Sequence, residues 1–429
     1  MKSISRYIRA SLRGLCISLA PALFMMPSVA APQSDYLPTE ADVTAAIMEH
    51  PNVQIAINLV KAAEASRRGL IAGNHEFELS TTAQRRNVID EGRHYNEWEA
   101  QISRPIRLPG KSGLDRSIGD STLQVAYLKL NDAEHIAARN LLGLWMDWIK
   151  TSAQANLLSA QQKLLARERD AVVKRVQKGD ASQRELDIMQ AEFATLTSTV
   201  LVATSAADKA RQLLVSEFPT LAIPDSPPAL PKPAPLLDGP KTWQDRIVQQ
   251  SAELAIAKSE STRQSQVAAR SRADRTPDPT VGLRMMSERG GAEKVVGVVV
   301  SIPFGGEYRR AEAERETANA SAAMVELNRM QRTIRQAAWV SVQTATSTYD
   351  QWNARQQALE AQKAASLKTR RAWELGEAPL AEYLLATRNL RQAQLEEASA
   401  RVDATQAALM VRIDAHDMWH SGSSHTETD

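Results

Sequence analysis

The chain has 429 residues, with 52 Lys and Arg against 50 Asp and Glu, and only 5% of it is aromatic. So even a charge balance excludes the strong basic field expected of a nucleic-acid-binding protein. So few aromatics suit long helices packed through Leu, Ala and Val better than a large globular core.

Residues 1–30 read as a signal peptide. Lys2, Arg6, Arg9 and Arg13 form a basic region, "GLCISLAPALFMM" is an apolar core, and Ser28-Val29-Ala30 is a small-residue cleavage site. The apolar run is short for a membrane span and Pro21 interrupts it. The mature chain is therefore expected to be exported, with 48 basic and 50 acidic residues. Cys16, the one cysteine, would leave with the signal, and the "RGL" before it is a poor lipoprotein-processing box. No later segment reaches the roughly 20 apolar residues of a spanning helix, although an exported chain can still enter a membrane as a β-barrel.

The rest divides at proline. Residues 219–240 hold eight of them and predict an extended linker between a first repeat, 31–218, and a second, 241–420. Residues 421–429 are expected to be a flexible tail. Each repeat opens with a helical segment, "EADVTAAIMEHPNVQIAINLVKAAEASRRGL" and "TWQDRIVQQSAELAIAKSESTRQSQVAARSR". Two segments of period-two alternation follow in each, predicting strands over 75–88 and 95–106, then 279–287 and 294–304. Leu79, Thr81 and Ala83 alternate with polar residues in the first; Val281, Leu283 and Met285 do so in the third. Each second strand ends in a Ser-x-Pro-apolar step, "SRPI" at 103 and "SIPF" at 301.

A very long helix comes next in each repeat. The register Leu123, Leu130, Ala137, Leu144, Thr151, Leu158, Leu165, Val172 is apolar or nearly so at every seventh position, the pattern of a supercoiled helix. Residues 116–178 would make a rod of about 95 Å. It meets Gly179; its counterpart, from about 308, meets Gly376, which lies 197 positions later. Glycine takes a positive φ without steric cost, so both positions read as reversals into a return helix. Ser182-x-x-Glu185 is a capping box for the first return, and Pro379 suits the first turn of the second. Helices this long need a bundle or a tube.

Four strands cannot close a membrane barrel, since the smallest have about 8. Two, three or four copies would supply about 8, 12 or 16 strands. The soluble alternative packs two hairpins on the helices.

The order of these elements, with "HPNVQIA" and its partner "SAELAIA", the "SRPIRLPG" and "SIPFGGEYRRAEAE" steps and the turns "RVQKGDAS" and "RRAWELGEAP", resembles the TolC-like outer-membrane efflux family across essentially the whole mature chain. Within it the chain looks most like the heavy-metal cation efflux (Czc-type) branch. The resemblance implies a mainly α fold with a small membrane β part: a homotrimer whose 12-strand β-barrel, four strands per chain, continues as a long α-helical barrel, each chain being an internal duplication. It implies an outer-membrane location in a Gram-negative bacterium, with a long periplasmic part and outer-membrane lipid around the barrel. It implies docking through the tips onto a periplasmic adaptor joined to an inner-membrane pump of RND type, with no cofactor and no chemistry of the chain's own.

The docking residues implied are Val176, Lys178, Gly179, Asp180 and Ala181 at one tip and Trp373, Leu375, Gly376, Glu377 and Ala378 at the other. Glu382 falls where the family often has a gate acid, which in a trimer would form a ring of repelling carboxylates that attracts cations. A second acid three positions on is replaced by Leu385, which could supply an apolar ring instead; Glu382 could equally be a helix N-terminal acid favoured by the dipole. His416 and His420, four apart, would share a helix face, but no carboxylate or cysteine completes a metal-ligand set. Competing classes are the same duct for drugs, other small organics or proteins, a periplasmic adaptor, and a coiled-coil scaffold without a pore. No nucleophile elbow, P-loop or dinucleotide fingerprint lies on a matching strand and helix, so an enzyme is not expected.

Overall fold

The computed structural model describes residues 36–419; the signal segment, Cys16, His420 and the tail lie outside them. Where the sequence predicts one opening helix per repeat, the structure has two. Helix α1 (Glu40–Glu49) and α2 (Pro51–Ala72) are divided at His50, which precedes a proline and so leaves the helical region, at φ −61° and ψ 135°. In the second repeat α5 (Gly239–Gln250) and α6 (Ala252–Ala273) break at the matching place without a proline. Ser251 takes φ −61° and ψ 114°, and its hydroxyl accepts from the Leu254 N–H at 3.2 Å, capping α6. Helix α5 starts just inside the expected linker, with Pro240 in its first turn.

Strands β1 (Glu78–Val88), β2 (Arg93–Pro105), β3 (Thr280–Glu288) and β4 (Glu293–Ser301) form one antiparallel sheet in the order β1-β2-β3-β4. Strand β4 stops short of the expected 304 because Pro303 has no N–H to continue a ladder. The β2–β3 pairing, Ile102 opposite Leu283 and Ala100 opposite Met285, joins the two repeats.

The long helices are α3 (Lys111–Gln177) and α7 (Glu307–Glu374), returning as α4 (Gln183–Glu217) and α8 (Leu380–Asp414). At 67 residues α3 is about 100 Å long. Its sevenfold stripe points inward: Leu130, Ala137, Leu158, Leu165 and Val172 are buried and Leu123, Leu144 and Thr151 half-buried. Midway along α3, Leu141, Leu142, Trp145 and Met146 pack with Val43, Ile47, Val53, Leu214 and Phe218. Towards the tips a second core gathers Leu158, Leu165, Val172, Met189, Tyr383 and Leu384. A third joins Trp243 and Ile247 of α5 to Ala338, Val342 and Val411.

Candidate functional site

At the first tip, α3 ends with the Asp180 N–H donating to the Arg175 carbonyl at 2.8 Å and the Gly179 N–H to Val176 at 3.0 Å. Gly179 is at φ 82°. The second tip repeats this hydrogen bonding, Glu377 to Ala372 at 2.8 Å and Gly376 to Trp373 at 3.0 Å, with Gly376 at φ 79°. Both glycines thus close a helix in the left-handed region where a Cβ would be strained. The restarts differ. Ser182 and Glu185 complete a reciprocal capping box, whereas Pro379 is the N-cap of α8, one place before its expected first turn, and supplies no side-chain bond.

Lys178, Gly179, Asp180, Leu375, Gly376 and Glu377 are exposed at these tips, and Ala181 and Ala378 half-exposed beside them. Val176 and Trp373 instead fall back on the lower core, where the Trp373 ring stacks on Tyr383 at 4.5 Å with a 6° interplanar angle. Glu382 lies exposed in the first turn of α8 and Leu385, 56% exposed, lies three residues on. Between them Tyr383 and Leu384 turn inward.

The structure adds polar ties that the sequence reading missed. The Tyr383 hydroxyl donates to Glu168 Oε1 at 2.6 Å, binding α8 to α3. Burial raises the Glu168 pKa, opposed by that bond and by Arg370; burial and the Glu168 bond also raise Tyr383. Glu192 on α4, 3% exposed, accepts from Arg388 Nε at 2.7 Å and Arg391 at 3.1 Å on α8. Burial works to raise the pKa of Glu192, but the two guanidiniums hold it below the usual range. Lys150 and Asp403, 2.8 Å apart, join α3 to α8 higher up. No sequence signal marks these pairs, whose members lie up to 253 positions apart.

At the upper end a second network ties the repeats together where helices meet strands. Lys111 Nζ donates to Asp278 Oδ1 at 2.8 Å and lies 3.0 Å from Asp274, while His75 Nε2 is 3.2 Å from Asp278. Arg270 Nε donates to Asp115 at 2.6 Å, and Arg107 holds the other oxygen at 3.2 Å. Burial opposes ionisation of Asp278, yet Lys111, the Leu108 N–H and His75 together bring its pKa down to about 2.

The sheet is two-faced. Along one face the register stacks Leu79, Ile102, Leu283 and Val298, then Thr81, Ala100, Met285 and Val296. Leu79, Leu283, Val296 and Val298 are each more than half exposed. The other face carries Gln84, Arg86, Glu97, Glu99, Gln101 and Arg284, with Met286, Val295 and Val299 as apolar exceptions.

His416 is not on a helix face, as the sequence reading had it. Helix α8 ends at Asp414, and His416 lies beyond it at φ 56°, its ring 5.5 Å from that of His135. Among the described residues no group of three or more His, Cys, Asp or Glu could hold a metal ion, and no helix is long and apolar enough to cross a membrane.

The fold has clear counterparts. The outer membrane protein VceC of Vibrio cholerae superposes with a TM-score of 0.74 at 14% identity, over 88% of this chain and 95% of that one. The CmeC outer membrane channel of Campylobacter jejuni gives 0.72 at 14%, over 95% and 93%. CusC, whose structures concern folding and transmembrane channel formation, gives 0.73 at 12%, over 88% and 91%. No protein-family model matches the chain, and no curated protein matches it in sequence. The chain therefore has the fold of outer-membrane channels: mainly helical, with a small four-stranded antiparallel sheet.

Proposed function

We propose that the chain is the outer-membrane exit duct of a tripartite efflux system, working as a homotrimer in a Gram-negative bacterium. The observation that carries this reading is the sheet. Four strands of 9 to 13 residues, long enough for a tilted membrane crossing, present one apolar exposed face and one polar face while both edges, β1 and β4, lie open. Open edges inside a bilayer would leave backbone groups unsatisfied, so other copies must close the ring. Three copies give the 12 strands of a barrel whose apolar face meets lipid and whose polar face lines water. The long helices then continue the wall into the periplasm. The likeness to outer-membrane channels supports the same architecture.

The two exposed tips suit docking onto a periplasmic adaptor, and through it an inner-membrane pump of RND type. Lys178, Gly179, Asp180 and Ala181, with Leu375, Gly376, Glu377 and Ala378, would make the contact; Val176 and Trp373 would shape it from below. Glu382 and Leu385, on the exposed side of α8 near the tip, would narrow the periplasmic mouth. The ties from Glu168 and Glu192 to α8 would hold that mouth in place. For cargo we favour heavy-metal cations, on the chain's resemblance to the Czc-type branch; drugs, other small organics or proteins are the alternative.

Extraction decides first. The duct reading expects a detergent-requiring trimer in the outer-membrane fraction; a soluble periplasmic monomer would overturn it in favour of a scaffold or adaptor. Crosslinkers at Lys178 or Glu377 are expected to capture the adaptor, and capture by neither would remove the docking role. Deletion followed by growth on a panel of metals and antibiotics assigns the cargo, sensitivity to antibiotics alone excluding the metal reading.

A further inference from the structure

Below the end of β4 the structure holds a second feature, unconnected with the tips. Four arginines converge there: Arg272 in the last turn of α6, Arg275 just beyond it, and Arg309 and Arg310 in the first turn of α7. With Gly305 and Gly306 they line a cavity of about 470 Å³. A Cβ at Gly305 would sit 2.8 Å from the Arg275 carbonyl, so glycine is what lets the connection between β4 and α7 lie against the Arg275 loop.

The charge in this cavity is poorly compensated. Arg309 donates to the Asp274 backbone carbonyl at 2.9 Å and Arg272 to the Thr317 hydroxyl at 3.3 Å, both neutral acceptors. Arg310 is 3.4 Å from Glu307, itself 80% exposed. Among the described residues, Arg272, Arg275 and Arg309 have no carboxylate partner. Asp274, whose backbone carbonyl takes the Arg309 bond, has its carboxylate committed to Arg270 and Lys111. The N-cap of α7, Gly306, lines the cavity and offers no side-chain bond to the helix's first amides, so the positive end of the helix is left uncapped beside it.

Its surroundings give it a level. Ile302, Phe304 and Tyr308, which follow the apolar rows of β4, are 59%, 96% and 76% exposed. Aromatic and apolar side chains at the end of a membrane strand belong at the height of lipid headgroups.

We propose that this cavity binds a phosphate-bearing anion, gripped by the guanidinium forks of Arg275 and Arg309 and flanked by Arg272 and Arg310. Guanidinium is the side chain best matched to bidentate recognition of phosphate oxygens. A bilayer lipid headgroup and free inorganic phosphate both present this chemistry. The lipid source rests on the outer-membrane reading above; the anion site does not.

The test uses the full-length protein purified in detergent, with its oligomeric state measured on the same sample. Native mass spectrometry would score retention of phosphatidylglycerol against phosphatidylcholine, and a separate titration would use inorganic phosphate. The wild type should retain phosphatidylglycerol preferentially, and the R275Q/R309Q variant should lose at least about tenfold of that preference. Arg275→Lys, which keeps the charge but not the fork, should fall between. If the double variant fails to fold, Arg275→Gln alone carries the test, since among the described residues that side chain bonds to nothing it would lose. Phosphate binding with the same sensitivity but no lipid preference assigns a soluble anion as the source. Equal binding of both probes by variant and wild type overturns the site. So does loss of the oligomer on R275Q/R309Q matched by E76Q/E78Q, the acids where the open edge strand β1 of a neighbouring copy would begin beside the end of β4; that would make the cavity a seat for that copy's carboxylates. A monomer that still binds phosphate through Arg275 would sink the duct reading and leave the anion site standing.

Discussion

Helices α3 and α7 occupy the same place in the two repeats and differ by one residue in length, 67 against 68, yet they live in different surroundings. Helix α3 is enclosed by its own chain. Leu141, Leu142, Trp145, Met146 and Trp148 are at most 2% exposed, and Ile136 is its only large apolar side chain left open among the described residues. Helix α7 buries mainly small residues, Ala313, Ala338, Val342 and Ala345, and leaves Met324, Val325, Trp339, Val340 and Leu367 between 46% and 65% exposed. The difference teaches that a duplicated sequence does not give duplicated environments. The first repeat's helix ends in the middle of the chain's layer, between α2 and α6, while the second repeat's lies at an edge. An edge of that length with exposed Trp and Val is what another copy would cover.

Mutation separates the enclosed helix from the edge. Leu141→Ala should lower protomer stability by about 3–4 kcal/mol through lost burial and a cavity, read from denaturant unfolding in detergent. Trp339→Ala should change that stability by less than about 0.5 kcal/mol and weaken assembly instead, read from the mass in detergent. Equal stability losses would break the comparison. Glu192→Ala would strip Arg388 and Arg391 of their shared carboxylate; a loss of roughly 3 kcal/mol is expected, together with looser protease protection of the tips.

Acid sharpens the contrast between the upper network and the edge. The Asp278 pKa is depressed in the folded state, so its stabilisation is complete above its unfolded pKa of about 4 and is lost as pH falls towards about 2. Thermal unfolding followed from pH 6 downwards should show this loss in the wild type and a flatter profile in Asp278→Asn.

The two tips give smaller stability losses than Leu141 or Glu192. Gly179→Ala and Gly376→Ala should each cost about 1–2 kcal/mol, since both sit at positive φ with open space around them. Ser182→Ala should cost about 1 kcal/mol by removing the capping box, whereas Pro379→Ala should cost less because Pro379 makes no capping bond. A larger loss at Pro379 would mean that the second tip depends on its restart more than on the Trp373–Tyr383 stack.

What was legible in the sequence is what local chemistry writes there. Alternation placed all four strands to within a few residues, the sevenfold stripe from Leu123 to Val172 set the inner face of α3, and Gly179 and Gly376 marked both reversals, because each depends on neighbours a few positions away. The breaks at His50 and Ser251 both went unpredicted, although the proline at 51 announces the first of them locally. His416 was placed on a helix that ends two residues before it. The sites divide in the same way. The exposed tip positions could be named from the turns, but that Val176 and Trp373 turn inward depended on what α8 packs against them.

By itself, then, the sequence determined the duplication, the element order, the two-faced strands and the corners of the hairpins. Only the tertiary structure decided which strands pair across the repeats, which long helix is enclosed, and which charges meet. Lys111 finds Asp278 from 167 positions away, Glu192 finds Arg388 from 196, and Arg275 and Arg309 come to line one cavity. Such meetings are fixed by where whole helices come to rest, and no local pattern encodes them.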